Sequence, residues 1–356
     1  RDGACARLLY TPVLRRGAVL DAALLPLLRH PPPHRSGMNL LRLGAAQLLL
    51  LDTPPHAAVG LTVELAKKRR IAPPALVNAV LRRLVGTKPP AVDPLATLPD
   101  WLRASWSAAY GAETAAAIAF ALGQEPPLDL SVKQDAAGWA ARLGGEVVGP
   151  ATVRLREAGA VERLPGYRAG GWWVQDLAAS LPARLVGAKP GMAVLDLCAA
   201  PGGKTAQLVA AGASVTAVER EPARAERLAE NLARLSLAAE IVVADALDYA
   251  PAAPFDAVLL DAPCSATGTI RRHPDILWSK TAADVERLAG LQGRLLDAAA
   301  RLVRPGGVLV HAVCSLEPEE GPAVVEAFLT RHPGFVRLPV ADAECGFAPT
   351  PSGGLR

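Results

Sequence analysis

Hydrophobic positions in the first 120 residues recur with the period of an α-helix. The stretches "LLRLGAAQLLLLD" and "ALVNAVLRRLV" both place apolar residues at i, i+3, i+4 and i+7, which is the spacing of one buried helix face. Proline-rich punctuation at 31–33, 54–55, 73–74 and 89–90 separates the segments. The pattern predicts an all-α domain of several helices, which we place at residues 1–122.

The pattern changes in residues 123–172, which predict a small α+β subdomain. "LDLSVKQ" has the composition of a strand and "AAGWAARLG" that of a helix, whereas "GGEVVG", "ATVRLRE" and "GYRAGGWWV" indicate short strands with glycine turns. A helix that begins in "QDLAASLPARLVG" then leads into the last region.

In residues 173–356, which we take as the third domain, apolar runs alternate with segments long enough to be helices. The predicted strands are "MAVLDLCAA", "SVTAVER", "EIVVADAL", "FDAVLLDAP" and "GGVLVHAVC". Near-continuous apolar strands separated by helices predict a mostly parallel sheet covered on both faces, so the fold class is a multidomain α and α/β chain. Such sheets bind ligands at the carboxyl ends of their strands.

Positive charge is concentrated in the predicted helical domain. Residues 1–120 contain 15 Lys and Arg against 7 Asp and Glu, a balance of +8, whereas the whole chain has a formal net charge of +4. The run Lys67-Lys68-Arg69-Arg70 and the pairs Arg15-Arg16 and Arg82-Arg83 lie there. This clustering favours a polyanion such as RNA as a partner, and a solvated helix face is the alternative.

The lack of long apolar runs argues against a membrane protein, and the cysteine usage indicates a reducing compartment. No apolar run of about 18 residues escapes a polar break, and no basic-then-apolar leader follows Arg1, so neither a membrane span nor a signal peptide is predicted. The five cysteines are an odd number without CxxC spacing, which fits neither a disulfide framework nor a metal site. We therefore expect a cytoplasmic protein with free thiols and no membrane partner.

The stretch "LDLCAAPGGKT" (195–205) combines the end of a strand, a turn of small residues and the start of a helix. Small residues allow a ligand to approach the backbone, and the N–H groups of the helix start offer donors. Both a nucleoside triphosphate and S-adenosylmethionine suit this geometry. The stretch departs from the P-loop pattern GxxxxGK[ST] only at Cys198, where the first glycine is required. A P-loop ATPase with an RNA-binding domain is therefore one alternative.

Acidic residues close four successive predicted strands, namely Asp196, Glu219, Asp245 and Asp261. Carboxylates suit ribose hydroxyls, an adenine amino group and a cationic sulfonium better than they suit a triphosphate, so the series favours S-adenosylmethionine. The alternative for each residue is that it only caps the helix that follows.

Cys264 and Cys314 directly follow two of the predicted strands. C5 of a cytosine is too weakly nucleophilic to attack a methyl sulfonium unaided, but addition of a thiolate to C6 makes C5 nucleophilic. A nearby base must then remove the C5 proton, and a carboxylic acid at N3 would favour the addition. Lys204 would lower the pKa of a nearby thiol. The alternatives are two inert buried cysteines or a disulfide, and we assign no chemistry to Cys5, Cys198 or Cys345.

The motifs "LDLCAAPGGKT", "AVER", "VVADAL", "DAPCSATGTIRRHPDI" and "HAVCSLEPEEG" resemble the successive motifs of the RsmB/Sun (Fmu) group of RNA cytosine-C5 methyltransferases. "HAAVGLTVELAKK" with "LVNAVLRRL" resembles the NusB-like helical RNA-binding domain of that family, and "WWVQDLAAS" the segment before its catalytic core. The resemblance implies a Rossmann-like class I S-adenosylmethionine-dependent methyltransferase domain after the helical domain and the small subdomain. The family pattern also has a helix ahead of "RDGACARLLY" and a strand pair after "PSGGLR", so we expect the chain to be clipped at both ends.

The resemblance also implies roles for residues at matching positions. Cys314 would be the nucleophile, Cys264 would assist proton removal and product release, Asp261 would contact N3 of the base, and Lys204 would give electrostatic support. The implied cofactor contacts are Cys198, Ala199, Ala200, Pro201, Gly202, Gly203, Lys204, Glu219, Asp245 and Asp261. The implied substrate is cytosine 967 of 16S rRNA, free or in an assembling small subunit, with no DNA partner and no oligomer expected. A non-catalytic rRNA assembly factor is the remaining alternative.

Two further motifs have open interpretations. Arg271 and Arg272 either contact an RNA phosphate beside the target base or, in the case of Arg272, only pair with Asp275. Trp172 and Trp173 either stack on a base or pack in the core, and we expect packing.

Overall fold

The computed structural model describes residues 2–340 except 33 and 52, with side chains from residue 6 onward. Its helices are α1 Asp2–Arg15, α2 Gly17–Leu24, α3 Arg35–Leu49, α4 Pro55–Arg69, α5 Pro74–Leu84, α6 Asp100–Tyr110, α7 Ala112–Leu122, α8 Ala136–Leu143, α9 Leu177–Leu185, α10 Gly203–Ala210, α11 Pro222–Arg234, α12 Ile276–Ser279, α13 Ala282–Ala300 and α14 Pro322–Arg331. Its strands are β1 Leu128–Val132, β2 Glu146–Gly149, β3 Thr152–Leu155, β4 Trp172–Val174, β5 Ala193–Leu197, β6 Ser214–Glu219, β7 Glu240–Val243, β8 Phe255–Asp261 and β9 Val303–Ala312.

The chain divides into two compact units. The first comprises the chain up to Glu125 together with Thr269–Ser279, and the second comprises Pro126–Gly268 and the chain from Lys280 onward. The boundaries that we drew at residues 122 and 172 stay predictions. Among the described residues, no helix combines the length and the apolar character that crossing a bilayer requires.

The first unit is helical, as the apolar period predicts. Helices α4 and α5 both begin with proline at their first position, where the missing N–H is not needed and the fixed φ suits the helix. Helices α2 to α5 bury a leucine-rich core. At Gly44 of α3, an added Cβ would lie 2.5 Å from a methyl group of Leu81 on α5. Any larger residue at this position would therefore require the Leu81 side chain to move.

The segment Thr269–Ser279 follows a cysteine motif in sequence but packs within the helical unit. The Arg15 guanidinium donates a hydrogen bond of 2.9 Å to the carbonyl of Arg271. The Trp278 indole N–H donates one of 3.1 Å to the carbonyl of Leu14. The periodicity of residues 1–122 contains no sign of this long-range pairing.

The second unit begins with a four-stranded antiparallel sheet in the order β2-β3-β1-β4. The strand predicted in "GYRAGGWWV" begins only at Trp172, because Gly166 and Gly170 adopt positive φ in the preceding turns. Trp172 and Trp173 are both buried, and their indole N–H groups donate to Pro165 O and Gln175 Oε1 respectively. The expectation that these two tryptophans pack in the core is therefore confirmed, and the base-stacking alternative is contradicted.

The second sheet of this unit has five strands in the order β7-β6-β5-β8-β9, and all its pairs are parallel. Residues on one face of β8, such as Val258, pack with α13 and α14, and those on the other, such as Leu259, pack with α9 and α10. The predicted parallel sheet covered on both faces is confirmed. In the β8–β9 register Asp261 pairs with Ala312, so the two cysteine loops leave the sheet side by side.

Candidate active site

The loop Cys198–Lys204 connects β5 to α10 at the carboxyl edge of the parallel sheet. Cys198 and Gly202 adopt left-handed φ values of 61° and 99°, and side chains of α11 hold the loop from outside. Arg224 donates to the carbonyl of Ala200 at 2.7 Å, and Asn231 donates to that of Pro201 at 2.9 Å. Sequence reasoning missed both residues, since nothing in the polar pattern of α11 shows which side chains reach the loop.

Lys204 and Thr205 point away from where a P-loop would hold phosphate and metal. The Lys204 Nζ lies 2.6 Å from Asp261 Oδ2, and the Thr205 hydroxyl donates at 2.6 Å to Asp196 Oδ2 in the fully buried interior. A P-loop requires this lysine on the terminal phosphates and this hydroxyl on Mg²⁺. The nucleotide-binding alternative is therefore not favoured.

Asp196 differs from the other strand-end acids because its carboxylate lies in the core. Its side chain is fully buried, and Oδ1 has no hydrogen-bond partner among the described residues. Burial raises the pKa of Asp196 to about 7, although the bond from Thr205 opposes the shift. The bond from Thr205 ties Asp196 to the start of α10 inside the core, and its place in the ligand-binding series stays a prediction.

The raised pKa of Asp196 predicts that stability falls with rising pH. In the folded protein the pKa of Asp196 is about 7, above the ordinary 3.8. The stabilisation that comes from keeping its carboxyl protonated is therefore fully present below pH ~4 and is lost as the pH rises to ~7. The difference between these two pKa values corresponds to a loss of up to ~4 kcal/mol in the free energy of unfolding. Asp196→Asn cannot ionise, so its urea unfolding midpoint should fall less than that of the parent between about pH 5 and pH 8. Parallel losses in both proteins would contradict the assignment.

Three carboxylates lie at the carboxyl edge around the loop. Glu219 ends β6 and accepts hydrogen bonds from the N–H groups of Ala200 at 3.3 Å and Glu221 at 3.1 Å, with Arg224 at 3.4 Å. Asp245 lies two residues beyond β7 and accepts from the N–H of Leu247 at 3.0 Å, so it also caps the following turn.

Asp261 ends β8 and forms a salt bridge with Lys204. Its carboxylate is about one third exposed, at 33%. Carboxylates beside a loop of small residues can accept hydrogen bonds from ribose hydroxyls and attract a cationic sulfonium. The site therefore fits S-adenosylmethionine, and the loop and these three acids stay its predicted contacts.

Cys264 and Cys314 converge beside the Lys204–Asp261 pair. Their sulfur atoms lie 3.4 Å apart, far beyond the ~2.0 Å of a disulfide, and both thiols are free. A hydrogen bond from Cys264 lowers the pKa of the Cys314 thiol, and the Lys204 ammonium acts in the same direction. The same hydrogen bond, together with burial, raises the pKa of Cys264. Within this pair Cys314 is therefore the thiol whose ionisation is favoured, and Cys264 is the one whose ionisation is opposed.

Cys198 does not share this environment. Burial raises the pKa of Cys198 to about 12, which agrees with assigning no thiol chemistry to it. The side chain of Cys5, and Cys345 as a whole, lie outside the described residues. Arg271 and Arg272 are half-buried, and their contact with RNA stays a prediction.

A buried polar network that sequence reasoning missed connects the two cysteine loops. Glu320, on the Cys314 loop, is fully buried and accepts hydrogen bonds from Ser265, which follows Cys264. Gln292 of α13 also donates to this carboxylate at 3.1 Å. The only sequence signal was the acidic end of "CSLEPEE", and that signal does not distinguish a buried glutamate from exposed ones.

Comparison with known proteins gives consistent results for both units. Residues 183–346 match the family described as 16S rRNA methyltransferase RsmB/F, and residues 1–86 match the NusB family. The chain is 40% identical over 354 residues to ribosomal RNA small subunit methyltransferase B of Xylella fastidiosa, covering 93% of this chain and 81% of the relative.

Solved structures share the fold. The structure of PH0851 superimposes with a TM-score of 0.74 at 23% identity, covering 92% of this chain and 80% of that one. A methyltransferase homologue from Pyrococcus horikoshii gives a TM-score of 0.58 at 28% identity, covering 67% of this chain and 81% of that one.

Proposed function

This chain belongs to the RsmB family of small-subunit rRNA methyltransferases, and from that premise we propose that it methylates C5 of a cytosine in 16S rRNA. Cytosine 967 is the implied position, and the methyl donor is S-adenosylmethionine. The observation that carries the proposal is the pair of free thiols 3.4 Å apart beside the Lys204–Asp261 pair. Amine methylation needs no thiol, whereas methylation at C5 of a pyrimidine needs a nucleophile at C6.

Cys314 is the nucleophile in the proposed reaction. Its thiolate forms a bond to C6, and the electron pair of the C5–C6 double bond makes C5 electron-rich. Asp261 contacts N3 of the base in this proposal, and a proton delivered to N3 compensates the charge that the addition places on the ring. S-adenosylmethionine supplies the methyl group that C5 takes up.

Cys264 removes the C5 proton after methyl transfer. In the free enzyme, the hydrogen bond to Cys314 and the charge on that sulfur keep Cys264 protonated. Once Cys314 is bonded to carbon, its charge is gone, so the main cause of the raised Cys264 pKa is gone as well. Cys264 then gives up its own proton to water more easily, and the resulting thiolate takes the C5 proton. The electron pair of the C5–H bond forms the C5–C6 double bond again and expels Cys314 from C6 as a thiolate.

The helical unit is the proposed rRNA-binding part. Lys67, Lys68 and Arg69 at the end of α4, together with Arg82 and Arg83 of α5, are all exposed. Exposed cations contribute salt-dependent, sequence-independent affinity for a phosphate backbone. The target cytosine must leave its stack to reach the thiols, so a loop or a partly open segment is the expected substrate.

Bisulfite sequencing of 16S rRNA from cells with and without the gene tests the proposal. We expect one cytosine to lose its protection from deamination when the gene is deleted and to regain it when the intact gene is returned. Purified protein should bind labelled S-adenosylmethionine and not ATP. An unchanged bisulfite pattern, together with rRNA binding by the pure protein, would instead favour the non-catalytic assembly factor.

A further inference from the structure

The buried Glu320 carboxylate connects both chain neighbours of Cys264 to the loop that carries Cys314, one directly and the other through Gln292. Glu320 Oε1 accepts from the N–H of Ser265 at 2.8 Å and from Gln292 Nε2 at 3.1 Å, and Oε2 accepts from the Ser265 hydroxyl. Gln292 Nε2 also donates to the carbonyl of Pro263 at 3.0 Å. Pro263 and Ser265 are the two chain neighbours of Cys264, so this network holds the cysteine from both directions.

Further bonds extend the connection to the neighbours of Cys314. The Ser265 and Ser315 hydroxyl oxygens lie 3.1 Å apart, and the N–H of Gly268 donates to the carbonyl of Cys314 at 3.0 Å. A carboxylate can only accept hydrogen bonds, so the Ser265 hydroxyl must donate to Glu320 and must accept from Ser315. The carboxylate therefore also sets the direction of the hydroxyl network between the loops.

Burial of this carboxylate costs free energy, since its partners Ser265 and Gln292 are neutral donors. Glu320 lies on the Cys314 loop, six residues beyond that cysteine, so its bonds to Ser265 and Gln292 link the chain around Cys264 to that loop. The 3.4 Å separation of the sulfurs is the distance over which the Cys264 thiol lowers the Cys314 pKa.

We propose that Glu320 is a positioning residue that holds the Cys264 thiol against Cys314, and so controls both the reactivity of the nucleophile and the later removal of the C5 proton. The inference rests on the proposed function for its catalytic consequence. Its geometric part concerns only two thiols and a network within one unit, so it can be tested without RNA.

The test compares Glu320→Ala and Glu320→Gln with Glu319→Ala in the full chain. Glu319 is the exposed chain neighbour of the buried Glu320, which makes it a matched control. Dibromobimane bridges two adjacent thiols, and peptide mapping by mass spectrometry identifies the Cys264–Cys314 bridge. Alkylation of Cys314 by iodoacetamide as a function of pH reports the pKa of that thiol in the same proteins.

In Glu320→Ala we expect bridging to slow by about tenfold or more, and the pH midpoint of Cys314 alkylation to rise. With RNA, kcat should fall ~100-fold while the KM for S-adenosylmethionine changes little, because misplacement by ~1 Å has an effect of that order. Glu320→Gln should restore most of both thiol readouts, since its amide oxygen accepts from Ser265 N–H and Gln292 and its amide nitrogen donates to Ser265 Oγ. Glu319→Ala should match the parent.

Parental bridging and a parental alkylation profile in Glu320→Ala would overturn the inference and leave the proposed function untouched. Altered thiol readouts in a protein whose parent leaves rRNA unmethylated would instead contradict only the proposed function. If Glu320→Ala fails to bind S-adenosylmethionine, this indicates loss of fold, and the inference is then tested with Ser265→Ala. This variant keeps the backbone bond and removes the hydroxyl, so slower bridging supports the inference and parental bridging overturns it.

Discussion

Cys264→Ala is expected to convert the enzyme into one that accumulates a covalent protein–RNA adduct. Cys314 can still add to C6 of the cytosine, but the group proposed to remove the C5 proton is missing, so the bond to C6 does not break. Turnover should stop after roughly one event per enzyme molecule. Denaturing gel electrophoresis with labelled rRNA measures the adduct, which should survive denaturant because it is covalent.

The control for this prediction is the double variant Cys264→Ala/Cys314→Ala. It lacks the sulfur that bonds to C6, so it should form no adduct while still binding the cofactor. An adduct in the double variant would place the covalent bond on another residue. Rapid turnover by the single variant, without accumulation, would assign proton removal to a different base.

The parallel sheet could be predicted because each buried strand leaves its signal within a few residues. In β8, Val258 and Leu259 point to opposite faces, and both faces are covered by helices. The strand is therefore apolar throughout and is easily recognised. The sequence places Cys264 and Cys314 directly after two such strands. The pairing of β8 with β9 then brings them together, since the carboxyl ends of neighbouring parallel strands meet at one edge of the sheet.

The buried network could not be predicted, because burial depends on contacts that are distant in sequence. Glu319 and Glu320 are adjacent and chemically identical, yet one is exposed and the other fully buried. The partner that distinguishes them is Ser265, 55 positions away. Asp196 and Asp261 present the same difficulty, since both lie at strand ends but only Asp261 holds Lys204 at the edge of the sheet.

The position of Thr269–Ser279 was likewise hidden from the sequence. Its contact with the helical unit joins Arg15 to Arg271, which are 256 positions apart. Period and composition report on local structure and on the face that is buried, and neither specifies which distant segment covers that face. Local patterns therefore predicted the elements and the motif loops, whereas the pairing of loops and segments required the structure.

Cys314→Ala is expected to abolish methyl transfer while leaving cofactor binding intact. Without a sulfur at C6, C5 remains too weak a nucleophile, so turnover should fall by at least ~1,000-fold. The loop Cys198–Lys204, Glu219 and Asp245 are unchanged in this variant, so the Kd for S-adenosylmethionine, measured by calorimetry, should stay within about threefold of the parent. Methyl incorporation into 16S rRNA from labelled cofactor measures the loss.

Comparison of Cys264→Ala with Cys314→Ala distinguishes the roles of the two thiols. Both should lose turnover, but only Cys264→Ala should hold RNA covalently, because only that variant keeps the thiol whose pKa Cys264 normally lowers. Removing Cys264 also removes this hydrogen bond, so the adduct should form more slowly near neutral pH and faster as the pH rises toward the ordinary thiol pKa of ~8.5. Equal loss of turnover without any adduct in either variant would contradict the division of roles between the two cysteines.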